Sequence, residues 1–325
     1  DETVLIWDGW RRPVDIRARN IEIFSRDGKL LVSLPQVSIG LSMRALVKGR
    51  LEVATLGIRL LRGSIARFPD GVFTVDLQPK EGKAQNIGGL LKGAARELSG
   101  QYGSTDGPLG YLKRVNVIQS QLTFDDRLAG IVWHSPRADI VMSREAAGLK
   151  TDAAIVIEAN KSRANLFAQF VYEVRTGEFL ARTRFENLNP SLVARSVSGL
   201  NDLANFNMLV TGEVAIGGSK NGNITKIGGN IATPVGGMEG EFEIDPLKSK
   251  IVGLARFKGI NVAEVSKRVS WLKNLAGLQV NLNGSIGGKA TVNGDVNELE
   301  FNLASGSGTL DIPYLWESSR KIKQV

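Results

Sequence analysis

The chain has 325 residues, of which 42% are hydrophobic and 23% are charged, a composition typical of a globular protein rather than a disordered one. It contains no cysteine and one histidine, His134, which excludes disulfide frameworks, thiol nucleophiles and zinc fingers. The 41 Lys and Arg residues outnumber the 33 Asp and Glu residues, so the formal net charge is +8. No run of 18 apolar residues could cross a bilayer as a helix.

The first 80 residues predict a meander of β-strands. Short runs that alternate apolar and polar residues are separated by turn signals such as Asp27-Gly28 and Pro69-Asp70-Gly71. The run 51–61 is expected to be one such strand. The apolar parity changes at Arg19 and Asn20, which predicts a bend or bulge, because a slip of one residue moves every side chain to the opposite face.

The segment 81–110 interrupts this pattern. It predicts a short amphipathic helix followed by a polar loop rich in Gly, Ser and Thr. Strands are then expected to continue over 111–184. The residues at helical spacing are Ile87, Leu90, Leu91, Ala94 and Leu98.

An internal repeat with an offset of 72 residues divides the rest of the chain into 185–256 and 257–325, the second copy being truncated. The organisation predicted from the sequence is therefore 1–80, 81–110, 111–184, 185–256 and 257–325. A matched pair of glycines in the repeat is expected to permit a bend or a close approach of backbone, and curvature is the role we favour for it. Matched pairs include Phe185/Phe257, Asn189/Asn261, Val193/Val265, Gly212/Gly284 and Asn230/Asn302.

Each copy of the repeat predicts one helix laid beside several strands. The helices are expected over 190–204 and 262–276, each opened by an asparagine at its N-cap. A strand should follow over 206–210 or 278–282, and then an Asn-Gly hairpin. We expect these helices to cap an edge or one end of the sheet rather than to touch a ligand.

Motifs that could carry chemistry fail on inspection. The segment 284–290 lacks the first glycine and the Ser/Thr of a phosphate loop, and 236–240 is interpreted as a turn between strands. Asp125 and Asp126 are interpreted as a solvated turn, and His134 as a structural or surface residue. Basic residues are spread over the chain without interleaved aromatics, which argues against nucleic acid. We therefore predict no enzymatic activity, no cofactor and no metal.

Three segments carry a resemblance to a known family: residues 7–13 (WDGWRRP), 34–46 (LPQVSIGLSMRAL) and 108–115 (PLGYLKRV), the last followed by a Leu-Thr-Phe-Asp-Asp strand. Through them the chain resembles the AsmA-like superfamily, and most of all the YhdP-type proteins of Gram-negative bacteria. The resemblance covers most of the chain, and it rests on turns and apolar alternation rather than on a catalytic signature.

The resemblance implies a periplasmic protein tethered to the inner membrane by an N-terminal helix that would precede Asp1. Such proteins resemble bridge-like lipid transfer proteins, in which phospholipid passes along an apolar gutter between the inner and outer membrane and supports the outer-membrane permeability barrier. The expected partners are accordingly phospholipid acyl chains and both membranes. The array of repeats is expected to have continued past residue 325.

The residues favour such a gutter independently. Strands in which apolar and polar residues alternate have one apolar face, and the predicted helices are too few to cover it. We therefore predict a mainly β fold, in which a long twisted antiparallel sheet curls into a groove or gutter with a few short amphipathic helices. The candidate lining residues are Val4, Ile6, Ile16, Ile21, Ile23, Val37, Ile39, Leu41, Ile58, Leu60, Phe73, Val75, Leu166, Phe170, Phe206, Met208, Val210, Leu278, Val280 and Leu282.

Alternatives remain open both for the single residues and for the whole chain. For any single candidate, packing against its neighbours or under a helix explains an apolar residue as well as contact with lipid does. For the whole chain, a non-conducting envelope scaffold is the main alternative. A carbohydrate-active β-solenoid is a weaker one, since it needs a cleft with two carboxylates about 5–10 Å apart.

Overall fold

The computed structural model describes residues 3–6, 15–24, 30–70, 72–76, 97–98, 109–196, 201–291, 296–305, 308–310 and 320–322. The chain divides into two compact units, Asp1–Phe179 and Leu180–Val325. The predicted fold class is confirmed: the chain is mainly β, and its described strands form curled, unclosed sheet with a few short helices. The helix predicted within 81–110 lies outside the described residues apart from a helical pair at 97–98.

The first unit consists of β-strands of alternating residues and one short helix. In chain order its described elements are β1 (Thr3–Ile6), β2 (Asp15–Phe24), β3 (Leu30–Leu41), α1 (Met43–Leu46), β4 (Val53–Arg59), β5 (Arg62–Arg67), β6 (Phe73–Asp76), β7 (Arg114–Asp126), β8 (Ile131–Arg144), β9 (Gly148–Ala159) and β10 (Ser162–Glu173).

Strand β7 corrects the prediction of a simple antiparallel meander. Strands β1 to β4 pair antiparallel in chain order, as do β7 to β10. Strand β7, however, lies parallel to both β4 and β5. A parallel pair needs a crossover connection of a dozen or more residues, and the chain between β6 and β7 is long enough to provide one. The periodicity of β7 gives no sign of its direction, so the parallel pairing could not be predicted from the sequence.

Left-handed backbone marks three bends in the first unit. Asn20 has φ 52°, which confirms the bend predicted at this position. Leu60 has φ 58° and Gln119 has φ 56°. The predicted strand 51–61 is therefore wrong at its end, since β4 stops at Arg59 and the Leu60 amide donates to the Ile118 carbonyl of β7.

The second unit contains the repeat. Its described elements are β11 (Phe179–Leu188), α2 (Pro190–Ser196), a 3-10 helix (Asn201–Asn205), β12 (Val210–Gly218), β13 (Ile224–Thr233), β14 (Gly236–Asp245), β15 (Lys250–Asn261), α3 (Val262–Ser266), a second 3-10 helix (Ser270–Leu275), β16 (Asn281–Thr291), β17 (Val296–Ser305), β18 (Gly308–Leu310) and β19 (Arg320–Ile322).

The 72-residue offset is visible in the order and bounds of these elements. Strands β12 to β17 pair antiparallel in chain order. The sequence strand, short helix, 3-10 helix, strand, strand occurs twice, and both ends of β13 and β17 differ by the offset. The predicted turn at 236–240 is wrong, because these residues open β14 and the turn lies at Pro234 and Val235. Proline cannot donate a hydrogen bond to a neighbouring strand, which favours a turn at Pro234, before the predicted turn at 236–240.

The single helix predicted over 262–276 is also wrong. Helix α3 ends at Ser266, and Val269 has extended backbone, with φ −109° and ψ 116°, before the second 3-10 helix. The Ser266 hydroxyl donates to the Ala263 carbonyl, and the branched Val269 side chain is compatible with an extended conformation. In the first copy α2 ends at Ser196 and a 3-10 helix follows, while 197–200 lie outside the described residues.

The predicted asparagine caps are present. The Asn261 side-chain oxygen accepts from the Glu264 amide at 3.0 Å, and the Asn189 oxygen accepts from the Ser191 amide at 3.1 Å. The Glu264 carboxylate binds Lys267 at 2.7 Å and Arg268 at 2.8 Å, and these cations lower the pKa of Glu264 to about 2. The Glu264 carboxylate in the first turn of α3 is therefore ionised at neutral pH, and a negative charge near a helix N-terminus is favourable.

Replacing Asn261 by Ala is expected to lower the unfolding free energy by about 1 kcal/mol, because the capping acceptor for the Glu264 amide is lost. Urea denaturation followed by circular dichroism measures this change. The matched control is Asn274→Ala, an exposed asparagine of the second 3-10 helix, which should change stability by less than about 0.5 kcal/mol. Equal losses for the two variants would contradict the capping role.

Candidate functional site: an apolar face in each unit

One face of the first sheet is lined by apolar side chains over seven successively paired strands, β2, β3, β4, β7, β8, β9 and β10. Residues paired in register project to the same side of a sheet. The first-unit apolar face is therefore defined by Ile16, Ala18, Val37, Ile39, Leu41, Leu56, Ile58, Val115, Val117, Ile140, Met142, Ala153, Ile155, Leu166, Ala168 and Phe170.

The apolar face is continuous because its members align in rows across the strands. A row runs at right angles to the strands through one residue of each. The first row is Ile16, Ile39, Leu56, Val115, Met142, Thr151 and Phe170, with Thr151 as its one polar member. The second row is apolar throughout: Ala18, Val37, Ile58, Val117, Ile140, Ala153 and Ala168.

The side chains of this face have an exposure between that of a packed core and that of a free surface. Val37 is buried, with 6% of its surface exposed, whereas the other members of both rows are half-buried. A residue in a packed core would be almost fully shielded. The described residues therefore leave part of each apolar side chain accessible along the whole width of the seven strands.

The opposite face of the same strands is mainly polar, although Phe167 and Val171 of β10 are exposed on it. Its row beside the two apolar ones is Arg17, Ser38, Gly57, Asn116, Val141, Asp152 and Gln169.

Two carboxylates of this polar face are held in the charged form. A hydrogen bond from the Gln169 amide, with help from Lys150, lowers the pKa of Asp152. The backbone amide of Gln119 lowers the pKa of Asp139 in the same way. The sheet therefore has one mainly polar face and one apolar face.

A second apolar face runs across β12 to β17 in the second unit. It is more exposed towards β17, where Leu299, Phe301 and Leu303 are 52%, 56% and 57% exposed. The second-unit apolar face is defined by Val214, Ile216, Ile227, Ile231, Met238, Phe242, Ile251, Ala255, Phe257, Ile286, Ala290, Leu299, Phe301 and Leu303.

Charged residues occupy the reverse side of these strands and pair across them. A cavity of about 620 Å³ lies there among the charged side chains. Its cations and anions neutralise one another, so it carries no net charge to attract an ion. The cross-strand pairs are Arg182–Glu213, Lys226–Glu241, Arg256–Glu239 and Lys289–Glu298.

Seven of the predicted lining residues belong to the first-unit apolar face. They come from the four strands β2, β3, β4 and β10, and only the pairing of the strands brings them together. They are Ile16, Val37, Ile39, Leu41, Ile58, Leu166 and Phe170.

Other predicted lining residues of the first unit lie elsewhere. In β1, Val4 and Ile6 are paired with Arg17 and Asp15. They are therefore in register with the neighbours of Ile16 in β2 and not with Ile16 itself. Beyond the bend in β2, Ile21 and Ile23 are paired with Leu34 and Val32. Leu60 is 45% exposed at its bend, Phe73 is 50% exposed in β6, and Val75 is paired with Ile65.

The predicted lining residues of the repeat lie near its helices. Strands β12 and β16 begin at Val210 and Asn281, so the strand predictions are wrong for Phe206, Met208, Leu278 and Val280. These positions are held by packing rather than by a strand ladder. Phe206 and Val210 are buried, and Met208 is half-buried. Val262 of α3 packs with Leu278 and Val280, and Leu282 lies against this cluster.

The lining candidates predicted from the sequence include no residue of the central strands β7, β8 and β9. In β7 and β8 the alternation at Val115, Val117, Ile140 and Met142 is a clear strand signal, but nothing in it shows that these strands lie beside β4. In the second unit the missed aromatic positions are Phe242, Phe257 and Phe301, each of which has a charged residue on at least one side in the chain. Their register with Ile227 and Met238 is a property of pairing across strands.

The predicted solvated turn at Asp125 and Asp126 is wrong for the second carboxylate. Asp126 is fully buried, and both of its oxygens accept from Arg67, at 2.9 and 2.6 Å. His134 is exposed on the polar face, where its Nδ1 lies 3.4 Å from the Thr123 hydroxyl.

Within the described residues no group of three or more His, Asp or Glu side chains is placed to hold a metal ion. Nor does any helix there have the length and apolarity to span a bilayer.

Fold and site together describe a protein built of curled β-sheet whose strands have one apolar and one charged face. No protein-family model, no curated protein and no solved structure matches this chain.

Proposed function

We propose that this protein binds phospholipid acyl chains on the first-unit apolar face and passes them along it between the inner and outer membrane of a Gram-negative envelope. On this proposal it is a periplasmic protein of the AsmA-like, YhdP-type kind and not an enzyme. A single observation carries the proposal: two adjacent rows of side chains cross seven strands, all of them half-buried except Val37, and the two rows together contain one polar residue.

The magnitude of the hydrophobic effect explains why such a surface is useful. Each methylene group costs about 0.8 kcal/mol when it is exposed to water, so a two-chain phospholipid leaving a bilayer faces a barrier on the order of 20 kcal/mol. A continuous apolar strip lowers that barrier at every point of the path. The strip needs no nucleophile, acid or metal, which agrees with the absence of chemical motifs in the sequence.

The proposal is tested by placing a charge on the apolar face. Ile155 is half-buried and is paired with Ala138 and Leu166, at the middle of β9. We expect Ile155→Asp to reduce co-purifying phospholipid at least about tenfold, because an aspartate in contact with acyl chains costs about 2.5–3.5 kcal/mol. Solvent extraction and mass spectrometry of protein purified from the periplasm of a Gram-negative host measure the lipid per mole of protein.

The neighbouring residue supplies the matched control. Val156 is also half-buried, lies on the same strand and is paired with Arg137 and Asn165 on the polar face. Val156→Asp should retain the phospholipid of the unaltered protein. A lipid-free unaltered protein, or equal losses in both variants, would leave the non-conducting scaffold as the better description.

Positions near the helices are unsuitable for this test. Val210 and Val280 are 4% and 5% exposed, and Val280 packs with Val262 and Leu278. An aspartate there would be a charge in a packed core, and the cost would appear as unfolding. Loss of lipid in such a variant would not separate a lipid contact from a structural one.

A further inference from the structure

The turn that follows α1 exposes apolar side chains among cations. Val47 and Leu51 are 83% and 78% exposed, which is unusual for large apolar residues that stand so close together. Arg44, Lys48 and Arg50 lie between or beside them in the chain. We call residues 44–51 the basic apolar turn.

The basic apolar turn is held in one shape by its own backbone. Ala45 is fully buried, and its carbonyl accepts from the amides of Lys48 and Arg50, both at 2.9 Å. The Gly49 amide donates to the Leu46 carbonyl at 2.9 Å, and Gly49 has φ 71°, which glycine adopts without strain. The exposed side chains are therefore presented by an ordered turn, and their exposure is not the result of a loose loop.

Two cations of the turn, Lys48 and Arg50, lie beside one buried tyrosine. Tyr111 is 4% exposed, and the Lys48 ammonium lies 3.4 Å from its hydroxyl. The Arg50 guanidinium is 6.0 Å from the centre of the same ring and 2.9 Å from the Glu52 carboxylate. With Arg44, residues 44–52 hold three cations and one anion, so this segment carries a net positive charge.

We propose that the basic apolar turn docks the first unit on an anionic lipid surface. Apolar side chains that enter the headgroup boundary, together with neighbouring Lys and Arg, are the pattern by which interfacial segments bind membranes. Each cation near such a surface contributes about 1 kcal/mol, roughly fivefold in affinity. The observation is independent of the apolar face, because the turn lies at the end of β3 and binds headgroups rather than extracted chains.

Vesicle flotation with the full chain tests the docking site. The probes are vesicles of phosphatidylcholine alone and of phosphatidylcholine mixed with phosphatidylglycerol. We expect binding to the mixed vesicles that weakens with added salt. The double variant Val47→Ser/Leu51→Ser should bind them about tenfold more weakly, because several methylene groups leave the interface. Lys48→Glu should weaken binding by at least about fivefold.

The second unit provides a matched apolar control. Leu247 is 96% exposed in the turn between β14 and β15, where Lys248 pairs with Asp245 at 3.4 Å. Leu247→Ser should leave vesicle binding unchanged. Equal binding by Val47→Ser/Leu51→Ser and the unaltered protein, or an equal loss with Leu247→Ser, would overturn the assignment of the docking site.

The outcome separates docking from lipid carriage. Ile155→Asp should bind the mixed vesicles like the unaltered protein, while it loses co-purified phospholipid. The opposite result, normal phospholipid content with no vesicle binding in Val47→Ser/Leu51→Ser, supports docking as a separate function of the turn. Binding that is equal on both kinds of vesicle would contradict recognition of anionic lipid.

Discussion

Replacing Arg67 by Met is expected to lower the unfolding free energy by about 3–5 kcal/mol. Asp126 has no exposed surface, and the Arg67 guanidinium supplies a bidentate pair at 2.9 and 2.6 Å. Without Arg67 the carboxylate keeps a hydrogen bond from the Ala129 amide at 3.2 Å, but no longer has this guanidinium beside it. Burying a charge without its partner is among the most destabilising changes that a single substitution makes.

Urea denaturation of three variants tests this prediction. Arg137→Met removes the partner of Asp139, and the Arg137 side chain is 65% exposed. This substitution should lower the unfolding free energy by less than about 1 kcal/mol. The double variant Arg67→Met/Asp126→Leu should recover part of the loss, because no buried charge remains. A loss of less than 1 kcal/mol in Arg67→Met would mean that water reaches Asp126, and that the end of β7 is open.

This ion pair shows what a local pattern fails to reveal. The letters around Asp126 are typical of a solvated turn, and a turn does follow it at 127–130. The burial comes from Arg67 on β5, which is 59 positions away in sequence and reaches Asp126 through a parallel pairing. Nothing in the sequence of the FDDR segment identifies Arg67 as the partner of Asp126.

The alternation within strands was predictable, and their neighbours were not. Ala18, Val37 and Ile58 are identified as apolar positions by the period of two alone. That they form one row depends on the antiparallel hairpins, which the turn signals favour. The row continues into Val117 only because β7 crosses back beside β4, and that step is a choice of topology among several compatible with the same alternation.

The repeat was visible in sequence because it constrains both turns and packing. Asn189 and Asn261 cap helices at matched positions, and β13 and β17 share the same offset. The helices were overestimated because the apolar spacing persists through Val269, although the backbone there is extended. Apolar spacing reports which side chains are buried, and a short helix followed by a 3-10 turn buries the same side chains as one longer helix.

The matched glycines of the repeat carry the other large expected effect. Strand β16 contains Gly284, and a Cβ atom on it would overlap the carbonyl oxygen of Asn302 and stand 3.0 Å from the Phe257 ring. In the first copy a Cβ on Gly212 would overlap the carbonyl oxygen of Asn230 in the same way. The close approach of neighbouring backbone, one of the two roles expected from the sequence, therefore occurs at both positions.

Gly284→Ala is accordingly expected to lower the unfolding free energy by about 1–3 kcal/mol, since the neighbouring strand must move to admit a methyl group. Gly287 provides the control on the same strand: a Cβ there would stand 3.6 Å from the Leu254 side chain, an ordinary contact. Gly287→Ala should be neutral or stabilising by up to about 1 kcal/mol, because alanine restricts the unfolded chain. Equal effects of the two substitutions in urea denaturation would mean that β17 yields freely, and that the approach of Asn302 to Gly284 does not set the curvature of the sheet.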